Sequence, residues 1–226
     1  MRPFDYWASG AGLSQVTPHD LPLPEGADFP RFLAELIGSR KVLEFGCGPG
    51  RIAAFIAPEQ YLGVDICALA IERANEAQPK HIFAVIGEGE SLAAADVVLC
   101  HTVLLHVPDD QLLKAIEAFN ADAVIVSEIL GRKWRREGDP PVFNREAIDY
   151  VLAFGKLGYA LAAHVERPYP YYRDTNLTVM EFRRDRAKTA AAQNEAAATE
   201  SPNDRSVLDA PGAARPRRAK GGRSDS

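Results

Sequence analysis

The sequence predicts an α/β protein whose doubly wound, mostly parallel sheet of seven strands ends in an antiparallel hairpin. Three observations predict this fold. Short apolar runs alternate with helical segments from residue 41 to residue 157, a glycine-rich turn follows the first run, and two further strands between residues 160 and 184 have no helix between them. Strands joined through helices run parallel, whereas consecutive strands without an intervening helix pair antiparallel.

Composition divides the 226 residues into three regions. Residues 1–27 are irregular and rich in glycine, proline and aromatic side chains, and we interpret them as a lid segment. Residues 28–186 carry the regular apolar pattern of one folded domain, which is long enough for a single core. Residues 187–226 contain almost no large apolar side chain. Because such a segment cannot offset the entropy cost of ordering, we expect a disordered tail.

Strands and helices of the first half of the domain are predicted from apolar periodicity and from their end signals. Asp28 is suited to cap the first helix, and Gly38 to end it. Pro58 stops the short helix after the glycine-rich turn, because proline cannot continue a helix. The predicted helices are 28–37, 51–56, 68–77 and 90–94, and the predicted strands are 41–45, 61–65 and 81–86.

The second half of the domain continues the alternation and then departs from it. Asp109 and Asp110 favour a helix start, because acidic side chains are stabilised near the positive end of a helix. Asn144 is the predicted N-cap of the last helix, and Gly158 follows its end. The predicted helices are 108–119 and 144–157, and the strands are 96–101, 123–129 and two within 160–184.

The most informative segment is VLEFGCGPGR, residues 42–51. An apolar strand there carries Glu44, and the following turn contains Gly46, Gly48 and Gly50. Glycine is needed where the backbone turns sharply and where a ligand approaches more closely than a Cβ allows. Backbone N–H groups of the turn and of the following helix start are predicted to bind an anionic group such as a carboxylate.

A second signal lies at the end of the next predicted strand, YLGVD, which finishes in Asp65. A carboxylate in this position can accept hydrogen bonds from both hydroxyls of a ribose. The glycine-rich turn and Asp65 together predict a nucleoside-binding site on a doubly wound sheet.

The pattern E-x-G-x-G-x-G from Glu44 to Gly50, with Asp65 at the end of the next strand, resembles the class I S-adenosylmethionine-dependent methyltransferases. A third segment, ADVVLCHTVLLHVPDD at residues 95–110, resembles the fourth strand of that family and the helix start beyond it. The resemblance covers residues 42–184. It implies a Rossmann-like methyltransferase fold, S-adenosylmethionine as the cofactor and methyl transfer as the activity, and it says little about the acceptor.

The resemblance also implies which residues hold the cofactor. The glycine-rich turn would pass under the amino-acid part, and Glu44 would hold the ammonium end. Asp65 would take the ribose hydroxyls, and Ile66 would lie against the adenine. An acidic residue after the third strand contacts the adenine amino group in this family, and Glu88 fits that role, with Glu90 as the alternative. The implied set is Glu44, Gly46, Cys47, Gly48, Gly50, Asp65, Ile66, Glu88 and His101.

Methyl transfer to oxygen or nitrogen requires removal of a proton, and three side chains are candidate bases. His101 ends the fourth predicted strand, and His106 follows five residues later. A neutral imidazole can take a proton from a hydroxyl or an amine, although either ring could instead line the cofactor pocket or pack. Glu128 is a carboxylate in an otherwise apolar fifth strand. If its side chain faces the site, burial would raise its pKa and it could act as a base. If it caps a backbone end, its role would be structural.

The loop GRKWRREGDPPVFNR, residues 131–145, is predicted to lie over the mouth of the pocket. Arg135 and Arg136, like Arg145 at its end, could bind a phosphate or carboxylate, and Trp134 could stack on a ring. The alternative is a solvated surface loop. The tyrosine-rich connection between the last two strands, with Tyr169, Tyr171 and Tyr172, is a second candidate substrate wall. We therefore expect a small-molecule acceptor, and the basic loop suggests one that carries a sugar or phosphate.

Charge and cysteine content disfavour several other kinds of protein. Residues 1–186 carry 19 basic and 26 acidic side chains, which argues against a broad nucleic-acid interface. The three cysteines include no CxxC pair, which predicts reduced thiols, no metal site and a cytoplasmic protein. No apolar stretch reaches the length of a membrane span, so we expect no membrane partner. The oligomeric state is not indicated by the sequence.

Three alternatives to a small-molecule methyltransferase stay open. A nicotinamide-dependent oxidoreductase would carry G-x-G-x-x-G and further parallel strands, and this chain has neither pattern. A binding or scaffold protein with the same fold is opposed by the intact glycine-rich turn and Asp65. An RNA or protein acceptor is disfavoured by the acidic domain, although the basic cluster in the tail would suit an anionic partner.

Overall fold

The computed structural model describes residues 1–15, 28–130, 138, 140–169 and 176–185. Seven strands form one sheet within these ranges: β1 Val42–Phe45, β2 Tyr61–Asp65, β3 Ile82–Val85, β4 Ala95–His101, β5 Ala121–Ile129, β6 Tyr159–Pro168 and β7 Asn176–Arg184. Their order in the sheet is β3-β2-β1-β4-β5-β7-β6. The first five strands are parallel, and β7 pairs antiparallel with both β5 and β6. The predicted fold class is therefore confirmed.

An α-helix connects β2 to β3 and another connects β4 to β5, and further helices pack against the sheet. The described α-helices are α1 Pro3–Ala8, α2 Phe29–Ile37, α3 Ala68–Ala77, α4 Asp109–Glu117 and α5 Ala147–Lys156. The 3₁₀ turns are Ala11–Gln15, Ala53–Phe55, Pro58–Gln60 and Leu104–His106. Among the described residues, the search for a helix of membrane-spanning length and hydropathy finds none. The bounds of β2 and α3 are those predicted from the sequence.

Two apolar layers lie on opposite faces of the sheet. Val98 and Cys100 of β4 belong to the layer that includes α4 and α5, whereas Val97 and Leu99 belong to the layer that includes α2. This division follows from the alternation of side chains along a strand. Both faces of the central strands β4 and β5 are covered, and these strands are nearly continuous apolar runs in the sequence, whereas the edge strand β3 is largely exposed. The carboxyl ends of β1, β2 and β4 are left as the accessible edge.

Two helices predicted in the first half do not form. After the glycine-rich turn the chain makes one 3₁₀ turn, Ala53–Phe55, and Ala57 is extended ahead of Pro58. Too few residues separate the turn from Pro58 for an α-helix to propagate. Residues 90–94 have no helix either. The Glu90 carboxylate accepts a hydrogen bond from the Gly87 N–H at 2.7 Å, so this segment is held by a local turn instead.

The caps of two helices differ from those predicted. Helix α5 begins at Ala147 with Glu146, not Asn144, as its N-cap. Glu146 and Asp149 form a reciprocal capping box, in which Asp149 accepts from the Glu146 N–H at 2.7 Å. Asp28 does precede α2, but its side chain makes no cap hydrogen bond and pairs with Arg167 instead.

Candidate functional site

A cavity of about 430 Å³ opens at the carboxyl edge of the sheet. Its volume lies in the range of small-molecule sites, about 300–1,000 Å³. Eight of the nine predicted cofactor residues line it: Glu44, Gly46, Cys47, Gly48, Asp65, Ile66, Glu88 and His101. Gly50 does not. An added Cβ there would lie 3.0 Å from Phe83, so Gly50 serves the close packing of the turn against β3.

The glycine-rich turn is held between β2 and the segment after β4. The N–H groups of Gly46 and Cys47 both donate to the carbonyl of Val64, at 2.8 and 3.0 Å. Gly46 has φ 73°, and a Cβ added there would lie 2.3 Å from Cγ2 of Val103. Glycine is therefore required at this position both by conformation and by space.

Four backbone N–H groups of the turn have hydrogen-bond partners within the protein. The N–H of Gly48 donates to Asp65, and the N–H of Gly50 donates to the carbonyl of Cys47 at 3.1 Å. With Gly46 and Cys47 also bonded to the protein, these four donors stabilise the turn itself. Binding of a ligand carboxylate by N–H groups of the turn and of the segment that follows it stays a prediction.

Asp65 connects the turn to the end of β2. Its carboxylate accepts hydrogen bonds from the N–H of Gly48 at 2.8 Å and the N–H of Cys67 at 2.9 Å. Burial raises the pKa of Asp65, and these two hydrogen bonds oppose the shift. The carboxylate lies in the cavity lining, at the sheet edge where the sequence placed it.

Glu44 is a buried acid in the floor of the cavity, only 2% exposed. It accepts a hydrogen bond of 2.5 Å from the hydroxyl of Tyr61. Burial raises the pKa of Glu44 to about 8, against the opposing effect of that hydrogen bond. Glu44 is therefore mostly protonated at pH 7 unless a cation lies beside it. Such a buried carboxyl fits a positively charged ligand group.

The N-terminal segment forms one wall of the cavity. Pro3, Phe4 and Trp7 line it, and the Trp7 ring lies 4.4 Å from that of His106. Arg2 pairs with Glu88 at 3.2 Å, so the acid predicted to contact adenine also holds this wall. Sequence analysis missed the Arg2–Glu88 contact, because nothing local relates residues 86 positions apart. A lid function for residues 1–27 stays a prediction.

His101 is held as a neutral ring at the end of β4. Its Nδ1 lies 3.1 Å from Oγ of Ser127, and its ring stacks on Phe29 with centroids 5.0 Å apart. Burial, together with the positive charge of Arg51, lowers the pKa of His101 to about 3. An imidazole with so low a pKa is a weak base. Its geometry suits orientation of a ligand better than proton removal.

His106 also lines the cavity, and its tautomer is fixed by its partner. Nδ1 lies 2.7 Å from the carbonyl oxygen of Pro141. Because a carbonyl can only accept, Nδ1 carries the hydrogen and Nε2 carries the lone pair of the neutral ring. Among the three candidate bases, His106 has the most suitable geometry.

Glu128 caps a backbone end, which was the alternative to its role as a base. It is fully buried, and its Oε1 accepts from the N–H groups of Leu104 at 2.7 Å and Val103 at 3.2 Å. Burial raises the pKa of Glu128 to about 8, against these backbone hydrogen bonds. Glu128 does not line the cavity. The geometry thus favours capping of the 3₁₀ turn Leu104–His106 over contact with a ligand.

The predicted substrate residues Trp134, Arg135, Arg136 and Tyr171 lie outside the described residues. Of the described part of the same two segments, Pro140, Val142 and Tyr169 line the cavity. Arg145 differs from its prediction. It is 5% exposed, and its guanidinium donates to backbone carbonyls within the protein instead of facing the cavity.

Thr102 is a cavity residue that sequence analysis missed. It follows β4 with φ 51°, the single non-glycine residue with positive φ in the described ranges. Its N–H donates to the carbonyl of Ser127 at 2.8 Å, which holds it there. A β-branched residue in this conformation costs about 1–3 kcal/mol and is characteristic of functional sites. Threonine has no sequence preference for this conformation that would have revealed it.

The family model described as a methyltransferase domain matches residues 23–180. Magnesium protoporphyrin IX methyltransferase from Synechocystis PCC 6803, solved with SAH, has a TM-score of 0.63 and 16% identity, over 80% of this chain and 97% of that one. The 1,6-didemethyltoxoflavin-N1-methyltransferase of Burkholderia thailandensis, solved with 1,6-didemethyltoxoflavin and S-adenosylhomocysteine, has a TM-score of 0.57 and 16% identity, over 80% and 84%.

The same fold is also found in a cyclase. The [4+2]-cyclase SpnF has a TM-score of 0.55 and 13% identity, over 68% of this chain and 80% of that one. At such identities these likenesses show the fold alone.

Proposed function

Because the chain belongs to the class I S-adenosylmethionine-dependent methyltransferases, whose methyltransferase domain matches residues 23–180, we propose that it methylates an oxygen or nitrogen atom of a small-molecule acceptor. The observation that carries the proposal is the convergence of eight predicted cofactor residues on one cavity. That cavity also contains a histidine whose tautomer leaves the lone pair on Nε2.

The residues present fit the cofactor. Asp65 lies where ribose hydroxyls would donate to it, and Glu44 supplies a buried carboxyl for the ammonium group. Gly46 lets the turn pack against Val103, and the amino-acid part is proposed to lie across this turn. Arg51, which lines the cavity beside the turn, is the proposed partner of the cofactor carboxylate. When bound, S-adenosylmethionine supplies an electrophilic methyl group, so these residues serve chiefly to align it.

The acceptor is proposed to lie over the ends of β4 and β5. Phe29, Ile129, Val142 and Tyr169 line that part of the cavity, so a small acceptor with an apolar body fits it. His106 would take the proton from the hydroxyl or amine as the methyl group is transferred. A sugar or phosphate on the acceptor stays a prediction, because the basic loop residues on which it depends lie outside the described ranges.

Binding and transfer assays test the proposal. Isothermal titration of the full chain should show micromolar binding of S-adenosylmethionine and S-adenosylhomocysteine and no binding of NADH. Transfer of labelled methyl groups is then measured on phenols, amines, sugar phosphates, RNA and protein. Label in the small molecules supports the proposal, and label confined to RNA or protein would reject the proposed acceptor class. Binding of NADH in place of both sulfur compounds would reject the cofactor.

Replacing His106 with glutamine is expected to lower the methyl-transfer rate about 100-fold or more, because general-base catalysis contributes roughly 10²–10⁴-fold. Affinity for S-adenosylmethionine should change little. The matched control is His164→Gln, since His164 is exposed on the edge strand β6. Equal rates for the wild type and His106→Gln would show that His106 is not the base.

Binding of S-adenosylmethionine at pH 7 is expected to release close to one proton from Glu44. The free protein holds Glu44 protonated, because burial raises its pKa to about 8, and the ammonium group of the cofactor favours the ionised form. Proton release makes affinity rise as pH increases from 6 to 8. Titration in two buffers of different ionisation enthalpy measures the release. Glu44→Gln should release none, and equal heats for the wild type in both buffers would contradict the expectation.

A further inference from the structure

The 3₁₀ turn that carries His106 is tied to the segment that precedes α5. We define the His106 turn as residues 103–107. The carbonyl of Leu105 accepts from the N–H of Phe143 at 2.8 Å, and Nδ1 of His106 donates to the carbonyl of Pro141 at 2.7 Å. A turn of this length has few internal hydrogen bonds, so its orientation depends on such external partners.

Arg145 donates hydrogen bonds to two carbonyl groups of this turn. Its Nη1 donates to the carbonyl of Leu104 at 2.7 Å, and its Nη2 donates to the carbonyl of Val107 at 2.6 Å. Its Nε donates to the carboxylate of Asp109 at 2.9 Å. The Arg145 side chain is only 4% exposed, whereas that of Asp109 is 79% exposed. The buried charge is therefore satisfied largely by the carbonyl groups of the turn.

Glu128 holds the same turn from its other end. Its Oε1 accepts from the N–H groups of Val103 and Leu104, while Arg145 binds the carbonyls of Leu104 and Val107. A buried carboxyl group thus accepts from the N–H groups at the start of the turn, and a buried guanidinium donates to two of its carbonyls. The Leu104 carbonyl also accepts from the Val107 N–H at 3.0 Å, so Arg145 adds a second hydrogen bond there. The N–H groups at the start of a short helical turn have no partner within the turn.

We propose that Arg145 is a positioning residue that, together with Glu128, fixes the His106 turn and so keeps the hydrogen of His106 on Nδ1. Pro141, which accepts that hydrogen, lies four residues before Arg145 on the same segment. Loss of the guanidinium removes its hydrogen bonds to the carbonyls of Leu104 and Val107 and lets the turn and the segment separate. The ring then exchanges between tautomers, and Nε2 no longer has a fixed place in the cavity. The proposal rests on the proposed role of His106 as the base.

The test uses the full chain labelled with ¹⁵N-histidine and long-range ¹H–¹⁵N NMR of the His106 ring. The wild type should show the Nδ1–H tautomer. Arg145→Met should show a tautomer mixture, and Arg145→Lys, which keeps the charge and is expected to fold, an intermediate shift. With an acceptor in hand, Arg145→Lys should lower kcat about tenfold with an unchanged KM for S-adenosylmethionine, because small displacements of a catalytic group reduce rates strongly.

Arg40→Met is the matched control. Arg40 likewise donates to two backbone carbonyls, those of Leu36 and Ile37, and to the carboxylate of Glu181, but at a distance from His106 in the sequence and on another element. It should leave the His106 resonances unchanged. Wild-type His106 resonances in Arg145→Lys would overturn the proposal, as would an equal change in Arg40→Met. Because the NMR measurement needs no turnover, either result is distinguishable from a failure of the proposed methyl transfer.

Discussion

Replacing Asp65 with alanine is expected to weaken binding of S-adenosylmethionine at least about 100-fold. Hydrogen bonds to a charged acceptor contribute about 1.5–3 kcal/mol each, and 1.4 kcal/mol corresponds to a tenfold change in affinity. The loss of both ribose contacts therefore accounts for a change of this size. The substitution also leaves the N–H groups of Gly48 and Cys67 without their acceptor, which loosens the glycine-rich turn.

Isothermal titration measures the affinity, and thermal unfolding of the free protein separates binding from stability. The matched control is Asp96→Ala. Asp96 also accepts a backbone N–H, that of Lys41 at 2.8 Å, but at the amino end of β4, the opposite edge of the sheet. Asp96→Ala should bind the cofactor as the wild type does. Undiminished binding by a folded Asp65→Ala protein would place the ribose elsewhere.

The cofactor half of the site was predictable because its signals are local. Glycines are needed at a tight turn, and an acid that ends a strand is readily located once the strand is recognised. The bounds of β2 and α3 follow from an uninterrupted apolar run and a regular helical period. Parallel pairing then brings Glu44 and Asp65 to the same edge of the sheet. No long-range information was required for these steps.

Roles that depend on side-chain direction were not predictable. A carboxylate in an apolar strand can face a ligand or a backbone end, and only the packing of the turn after β4 shows that Glu128 does the second. An arginine in a basic loop can likewise be solvated or buried. Arg145 is buried because carbonyls from a segment about 40 residues earlier surround it. The sequence contains Arg145 and the turn after β4, but it does not show the contact between them.

The predictions of short helices were wrong for a different reason. Helix propensity over five or six residues is too weak to compete with local alternatives. The hydrogen bond from the Gly87 N–H to Glu90 and the extended residue before Pro58 are such alternatives. The predicted N-cap of α5 was wrong because Asn144 and Glu146 both offer an acceptor near the helix start. The capping box with Asp149 makes Glu146 the N-cap.

Replacing Gly46 with alanine is expected to lower the free energy of unfolding by about 2–5 kcal/mol and to abolish detectable cofactor binding. An L-residue in the left-handed region costs about 1–2 kcal/mol, and φ at Gly46 is 73°. Overpacking adds about 1–3 kcal/mol, because the new Cβ would lie 2.3 Å from Cγ2 of Val103. The turn can relieve this contact only by moving, and its movement displaces the backbone on which the cofactor is proposed to lie. Thermal unfolding and titration with S-adenosylmethionine measure the two effects.

Gly155→Ala is the matched control for the Gly46 substitution. Gly155 lies within α5, and a Cβ added there meets no atom within 4 Å. Alanine should therefore stabilise the protein by about 0.5–1 kcal/mol through its higher helix propensity, without affecting binding. In the Gly46→Ala background, Val103→Ala removes the Cγ contacts but not the backbone strain, so it should restore part of the stability. Wild-type stability and binding in Gly46→Ala alone would show that the turn is not confined between β2 and the segment after β4.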